Sequence, residues 1–121
     1  MYELQVDGEF AAAHFLRGYE GKCENLHGHN WKVEVRVRSG ELAELDMVMD
    51  FKKLKGLVAE VLEMFDHKCL NELETFSDLN PTTENVARII YDQVVSKLPA
   101  GVDVSRVTCW ESERCGASYF E

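Results

Sequence analysis

From Trp31 to Arg38 the chain reads Trp-Lys-Val-Glu-Val-Arg-Val-Arg, with apolar side chains at 31, 33, 35 and 37 and charged ones between them. Alternation of period two puts every apolar group on one face of an extended backbone, so the segment is a strand with one face buried. Continued backwards, the strand gives His27 and His29 the parity of Trp31, with Gly28 between them. The two imidazoles then share that face.

The rest of the chain supplies partners for this strand. Tyr2 to Phe15 reads as another strand, broken near Gly8, and ends in Phe10-Ala-Ala-Ala-His14-Phe15, where small residues permit close approach of a neighbour. The loop from His14 to His27 holds Gly18, Gly21 and Cys23, which makes the two strands a long-looped hairpin. Asp50 can cap a helix with apolar positions at Leu54, Leu57, Val58, Val61, Leu62 and Phe65, and Asp66-His67-Lys68 then falls at its C-terminal end. A second helix opens at Pro81-Thr82-Thr83-Glu84, with Thr82 or Thr83 as N-cap. It carries Val86, Ile89, Ile90, Val94 and Leu98 inward and stops at Pro99-Ala100-Gly101. Strands from Val102 to Glu111 and from Ala117 to Phe120 complete the order ββααββ. That order predicts an α+β fold, a four-stranded antiparallel sheet with two helices on one face. The open edges of such a sheet invite pairing between subunits.

At 121 residues, with no internal repeat and no Pro/Gly/Ser-rich linker, the chain is expected to form a single domain, 1–121. Thirteen basic against 22 acidic residues leave a formal charge of −9, which repels a phosphate backbone, so nucleic acid and anionic membranes are poor partners. The longest apolar run is four residues, Phe10 to Ala13, against the roughly 20 that a spanning helix needs. The N-terminal residues have neither the basic region nor the apolar core of a secretory signal, and a cytoplasmic location is expected. Reduced thiols are expected at Cys23, Cys69, Cys109 and Cys115 rather than a disulfide framework.

The densest chemistry lies in Cys23-Glu-Asn-Leu-His27-Gly-His29, with His14 as a third imidazole across the hairpin. Neutral imidazole binds zinc at about 2.0–2.1 Å, and three protein ligands leave a position open for water or substrate. Two other readings fit the same spacing: exposed surface histidines, and a closed structural site in which Cys23 is the fourth ligand. An unligated Cys23 beside a cation has its pKa lowered and can act as a thiolate base or nucleophile. Asp66-His67 offers a carboxylate-oriented imidazole to exchange a proton with it, or simply a solvated helix end. Glu111 closes a strand of apolar and small residues; it suits the paired N–H donors of a 2-amino-pyrimidinone ring, or is a partly exposed strand end. Thr82-Thr83-Glu84 is first a helix N-terminus whose free N–H groups can also serve a ligand. Cys69, Cys109 and Cys115 read as small buried or half-buried residues.

Taken together, these residues resemble the 6-pyruvoyl-tetrahydropterin synthase family, in particular its 6-carboxytetrahydropterin synthase branch. The resemblance is nearly full length. It runs through Ala12-Ala13-His14, Gly21-Lys22-Cys23, Cys-x-x-x-His-Gly-His at 23–29, Met47-Val48-Met49-Asp50-Phe51, Leu54-Lys55, Asp66-His67-Lys68-x-Leu70, Pro81-Thr82-Thr83-Glu84-Asn85-Val86-Ala87 and Glu111. The short gap between Cys23 and His27 is similar to the 6-carboxy branch. The resemblance implies a tunnelling fold whose sheets join between subunits into a barrel, in a homo-oligomer, a hexamer in the family, with active sites at subunit interfaces. It implies zinc on His14, His27 and His29, Cys23 as proton-abstracting base with Asp66 and His67 as relay, and Glu111 anchoring a pterin with Thr82, Thr83 and Glu84. The implied substrate is 7,8-dihydroneopterin triphosphate, and the implied products are 6-carboxy-5,6,7,8-tetrahydropterin, acetaldehyde and triphosphate. The alternatives are the 6-pyruvoyl product, a non-catalytic zinc-stabilised binding module, and a metal-free oligomeric scaffold. Phe15 stands where the family usually has a basic residue after the first zinc histidine. That leaves Arg17, Lys22 and Lys68 as the cations for the triphosphate.

Overall fold

The computed structural model describes residues 1–18 and 25–121. Strand β1 (Tyr2–His14) pairs antiparallel with β2 (His27–Ser39) over thirteen residues, from Tyr2 opposite Ser39 to His14 opposite His27. Helix α1 (Phe51–Leu62) follows, then the short β3 (Lys68–Cys69), helix α2 (Thr83–Val95), β4 (Asp103–Trp110) and β5 (Gly116–Tyr119). The sheet order is β3-β1-β2-β4-β5. The expected α+β architecture stands with one strand more than four. The addition, β3, is two residues long and runs parallel to β1 at Ala12 and Ala13, so the sheet is mixed rather than wholly antiparallel.

Paired residues in a ladder project to the same face, so the register itself defines the core. Phe10 faces Trp31, Val6 faces Val35, Val35 faces Val107, Val33 faces Cys109, and Val107 faces Tyr119. Over that face lie Leu54, Val58, Val61 and Leu62 of α1 and Val86, Ala87, Ile90, Tyr91 and Val94 of α2, all buried. A bulge where β2 Arg36–Val37 meets β4 Arg106–Val104 keeps Val104 and Val107 on the inner side despite their odd spacing.

Both helices begin at the caps their sequences announce. The Asp50 carboxylate accepts the Lys52 N–H at 2.8 Å, and the Thr82 hydroxyl accepts the Asn85 N–H at 3.1 Å. The first helix ends at Leu62, earlier than the apolar periodicity suggests, although Phe65 remains fully buried beyond it. Gly8 does not break β1. A Cβ there would come 2.7 Å from Leu62 Cδ1, so glycine serves to let α1 lie close on the strand.

Gly116, at the start of β5, has the tighter requirement. A Cβ would meet Trp110 Cε3 and Cδ2 at 2.7 and 2.8 Å and the Cys109 carbonyl at 3.0 Å. Gly116→Ala is therefore expected to cost about 1–3 kcal/mol through overpacking. Urea unfolding measures it; an unchanged midpoint would mean that the indole swings clear without cost.

Candidate metal centre

The β1–β2 register ends with His14 opposite His27 and Ala12 opposite His29, which carries three imidazoles to one end of the inner face. They stand over Trp31, whose ring centroid lies 4.9 Å from that of His14 and 5.7 Å from that of His29. The indole is itself stacked on Phe10 at 5.6 Å and donates its N–H to the Ala12 carbonyl at 3.3 Å, giving the imidazoles a rigid apolar floor. One step beyond the Lys32–Trp110 pair, Glu111 stands opposite Trp31 and joins the group from β4. His14, His27, His29 and Glu111 each bring one donor atom within 4.8 Å of the others and form a group that can hold a metal ion. Glu111 Oε1 lies 2.8 Å from His29 Nε2, 3.3 Å from His14 Nε2 and 3.8 Å from His27 Nε2.

The protonation pattern follows from the partners. His14 Nδ1 lies 2.7 Å from the Pro81 carbonyl and His27 Nδ1 2.7 Å from the Asn25 carbonyl. A carbonyl only accepts, so both Nδ1 atoms carry a hydrogen and both rings turn Nε2 toward the centre. His14 Nε2 and His29 Nε2 are buried with no hydrogen-bond partner, despite the nearby carboxylate. Burial lowers the His29 pKa, reinforced by His14 and His27 against the opposing pull of Glu111. Burial pushes the Glu111 carboxyl up, but the Thr83 hydroxyl, donating to Oε2 at 3.1 Å, and the His29 and His14 rings outweigh it and hold the pKa below the usual range. Three ring nitrogens and a carboxylate oxygen thus converge, and the buried Nε2 atoms of His14 and His29 have no hydrogen-bond partner. That donor set fits a divalent cation.

Helix α2 presents this end of the site. Pro81 orients His14, the Thr83 hydroxyl holds Glu111, the Thr82 hydroxyl is engaged in its own cap, and Glu84 is exposed. Cys23 and Lys22 lie outside the described residues. Asp66 and His67 do form a pair, with His67 Nδ1 2.9 Å from Asp66 Oδ2, but they do not sit at a helix end as expected. Asp66 Oδ1 accepts the Ala11 N–H at 2.9 Å, His67 donates its N–H to the Ala11 carbonyl at 2.6 Å, and the pair rides on the outer edge of β1. Ala11 precedes His14 by three residues, about 10 Å at ordinary strand rise. The pair is thus apart from the four donors, with the His67 side chain 83% exposed. His67 is held at φ 58°, the left-handed region, by these contacts.

Two of the cations expected for phosphates are committed elsewhere. Arg17 donates to the carbonyls of Phe76, Leu79 and Asn71, and Lys68 to those of Glu63 and Met64. Asn71 and Asn80, which sequence reasoning passed over, exchange paired hydrogen bonds with the backbones of Phe15 and Arg17 and fix the chain as it leaves His14. Cys109 is buried and its thiol is pushed up to about 12, so it is inert at neutral pH. Cys69 is half-buried. Cys115 is exposed rather than buried, because it lies in the turn between β4 and β5.

A sheet covered by two helices, with three imidazoles and a carboxylate gathered at one end, defines an α+β enzyme domain of metal-site type. The chain belongs to the 6-pyruvoyl tetrahydropterin synthase family, whose profile matches residues 3–121. A protein of Archaeoglobus fulgidus with the provisional name 6-carboxy-5,6,7,8-tetrahydropterin synthase is 43% identical over 110 residues, 91% of this chain and 88% of its own. The dihydroneopterin monophosphate aldolase of Pyrococcus furiosus is 40% identical over 88% of this chain and 87% of its own. The 6-carboxy-5,6,7,8-tetrahydropterin synthase of Haemophilus influenzae is 33% identical, with both chains fully covered. The solved 6-pyruvoyl tetrahydropterin synthase of Caenorhabditis elegans superposes with a TM-score of 0.87 at 30% identity, covering 99% of this chain and 95% of that one.

The Ala11 N–H lowers the Asp66 pKa against partial desolvation, and His67 lowers it further. A carboxylate whose pKa is depressed on folding contributes stability that is complete above its unfolded pKa of about 3.9 and is lost as pH falls through the folded value. Asp66→Asn is therefore expected to lower the urea midpoint at pH 7, with the gap to the unsubstituted protein closing on acidification below about pH 4. A gap that stays constant down to pH 2.5 would contradict this.

Proposed function

We propose that the chain is a zinc-dependent 6-carboxy-5,6,7,8-tetrahydropterin synthase. It would convert 7,8-dihydroneopterin triphosphate to 6-carboxytetrahydropterin, acetaldehyde and triphosphate, on the way to 7-deazapurines such as queuosine. The observation that carries this reading is the convergence of His14, His27 and His29, two of whose Nε2 atoms are buried without a partner, in a family that includes synthases of that name. These three histidines would hold the zinc. When bound, the ion supplies a Lewis acid for hydroxyl or keto oxygens of the substrate side chain and so acidifies the adjacent C–H.

Cys23, as thiolate, takes the proton at that carbon. Asp66, ionised at neutral pH, fixes His67 with Nδ1 toward it, leaving Nε2 to exchange a proton with the thiol. Glu111 anchors the pterin, assisted by the α2 N-terminus at Thr82, Thr83 and Glu84. Asp66 and His67 stand exposed on the sheet edge, about 10 Å along β1 from the imidazoles, where the edge of another subunit would reach them. The outer edge of β5, and that of β1 from Tyr2 to Ala11, pair with no strand among the described residues, and such edges support assembly into a homo-oligomer with sites between subunits. No helix among the described residues is long and apolar enough to cross a membrane.

A second reading rests on the committed cations. With Arg17 and Lys68 bonded to backbone carbonyls, a substrate with fewer phosphate charges is favoured, as in aldol cleavage of dihydroneopterin monophosphate.

Parallel incubation with the triphosphate and the monophosphate, identifying both the pterin and the carbon fragment, separates the readings. The synthase releases acetaldehyde and triphosphate. A diketo pterin without acetaldehyde points to the 6-pyruvoyl reaction, and a phosphorylated carbon fragment points to the aldolase. Cys23→Ala is expected to keep one zinc per chain and to lose about 10²–10⁴-fold in turnover. Loss of the metal together with a fall in melting temperature would instead make the thiol a structural ligand.

A further inference from the structure

We infer that Glu111 is a fourth, carboxylate ligand of the resting metal centre, presented by Thr83, and that an oxygen donor of the substrate must take its place. The inference rests on the metal reading above and concerns the position that three histidines leave open. Glu111 Oε1 is the atom nearest to all three Nε2 atoms, at 2.8, 3.3 and 3.8 Å. A hydrogen bond does not account for this closeness. His14 and His27 turn their Nδ1 atoms to the carbonyls of Pro81 and Asn25, which leaves their Nε2 atoms facing the centre. His29 Nε2, at 2.8 Å, is not aligned to donate. Four donor atoms of the kinds that ligate divalent cations thus lie within 4.8 Å of one another, with no hydrogen bond from the carboxylate to the buried Nε2 atoms of His14 and His29.

The far oxygen supports the same assignment. Oε2 accepts the Thr83 hydroxyl at 3.1 Å, the outer hydrogen bond that ligating carboxylates ordinarily have. Behind it the backbone is pinned, because the Glu111 N–H donates to the Cys115 carbonyl at 3.0 Å. With one oxygen on Thr83 and the other among the imidazoles, neither is free for the paired N–H donors of a pterin edge. Binding the metal and anchoring the ring are therefore exclusive uses of one side chain, the first belonging to the resting site and the second to the substrate complex.

The test is cobalt(II) uptake by the full-length protein without substrate, followed by chelator competition and visible absorption. Glu111→Ala and the near-isosteric Glu111→Gln are expected to weaken cobalt binding by more than about tenfold and to change the ligand-field spectrum. Thr83→Val, which removes only the orienting hydroxyl, is expected to weaken it by up to about tenfold while keeping the spectrum. Wild-type affinity and an unaltered spectrum in Glu111→Gln, whether or not Glu111→Ala folds, would overturn the inference and leave the three-histidine site intact. Failure of the unsubstituted protein to bind cobalt or zinc stoichiometrically would instead remove the metal reading itself.

Discussion

The thirteen-pair register of β1 and β2 is the constraint on which the rest of the molecule depends. Side chains alternate with period two, so a slip of one residue would turn Val6, Phe10 and Ala12 outward, and with them His14. The same register that buries Phe10 on Trp31 places His14 opposite His27 and Ala12 opposite His29. Core and site are consecutive stretches of one ladder face. The free energy that holds the donors in place is that of the apolar core; burying a Trp, Phe or Val side chain contributes about 1.5–3 kcal/mol.

What the ladder gathers is electrostatically uncomfortable. Three imidazoles and a carboxylate meet in a half-buried space where charge interactions exceed those in water. The fold holds them there through contacts that involve no cation: carbonyls of Pro81 and Asn25 on two rings, the Thr83 hydroxyl on the carboxylate, and the indole beneath. Two of these come from the N-terminal end of α2 and the residue before its cap. The Thr82 cap thus does more than start a helix, since it sets the backbone from which the Pro81 carbonyl and Thr83 hydroxyl reach the site.

Much of this was legible in the residues. Alternation at 31–37 gave β2 and the shared face of His27 and His29, and Asp50 and Thr82 marked both helix starts because short polar side chains there have an evident use. The strand β3 was not legible. Two residues carry no periodicity, and β3 exists because Asp66 and His67 grip the Ala11 backbone from a distant part of the chain. Gly8 read as a break because a glycine in a strand is ambiguous until the packed helix is known. Arg17 read as a free cation because its carbonyl partners lie in irregular segments that no pattern announces. Glu111 was visible as a polar residue ending an apolar strand. Its place among the imidazoles required the β2–β4 register that pairs Lys32 with Trp110, which the pattern of β4 alone does not give.

The two kinds of chemistry expected of the site are also separated in space. The metal donors all come from one chain and lie within 4.8 Å of one another, held by contacts internal to that chain. The carboxylate–imidazole pair sits on an exposed edge, in a left-handed turn whose cost is about 1–2 kcal/mol and is offset by the Ala11 contacts. An exposed imidazole oriented by a carboxylate has no neighbour to serve among the described residues of its own chain, whereas strand edges left open on either side of the sheet supply a way for another chain to reach it. Under the proposed function, metal binding is then a property of each chain and turnover a property of the assembly. Dilution into monomers should abolish the second while leaving the first.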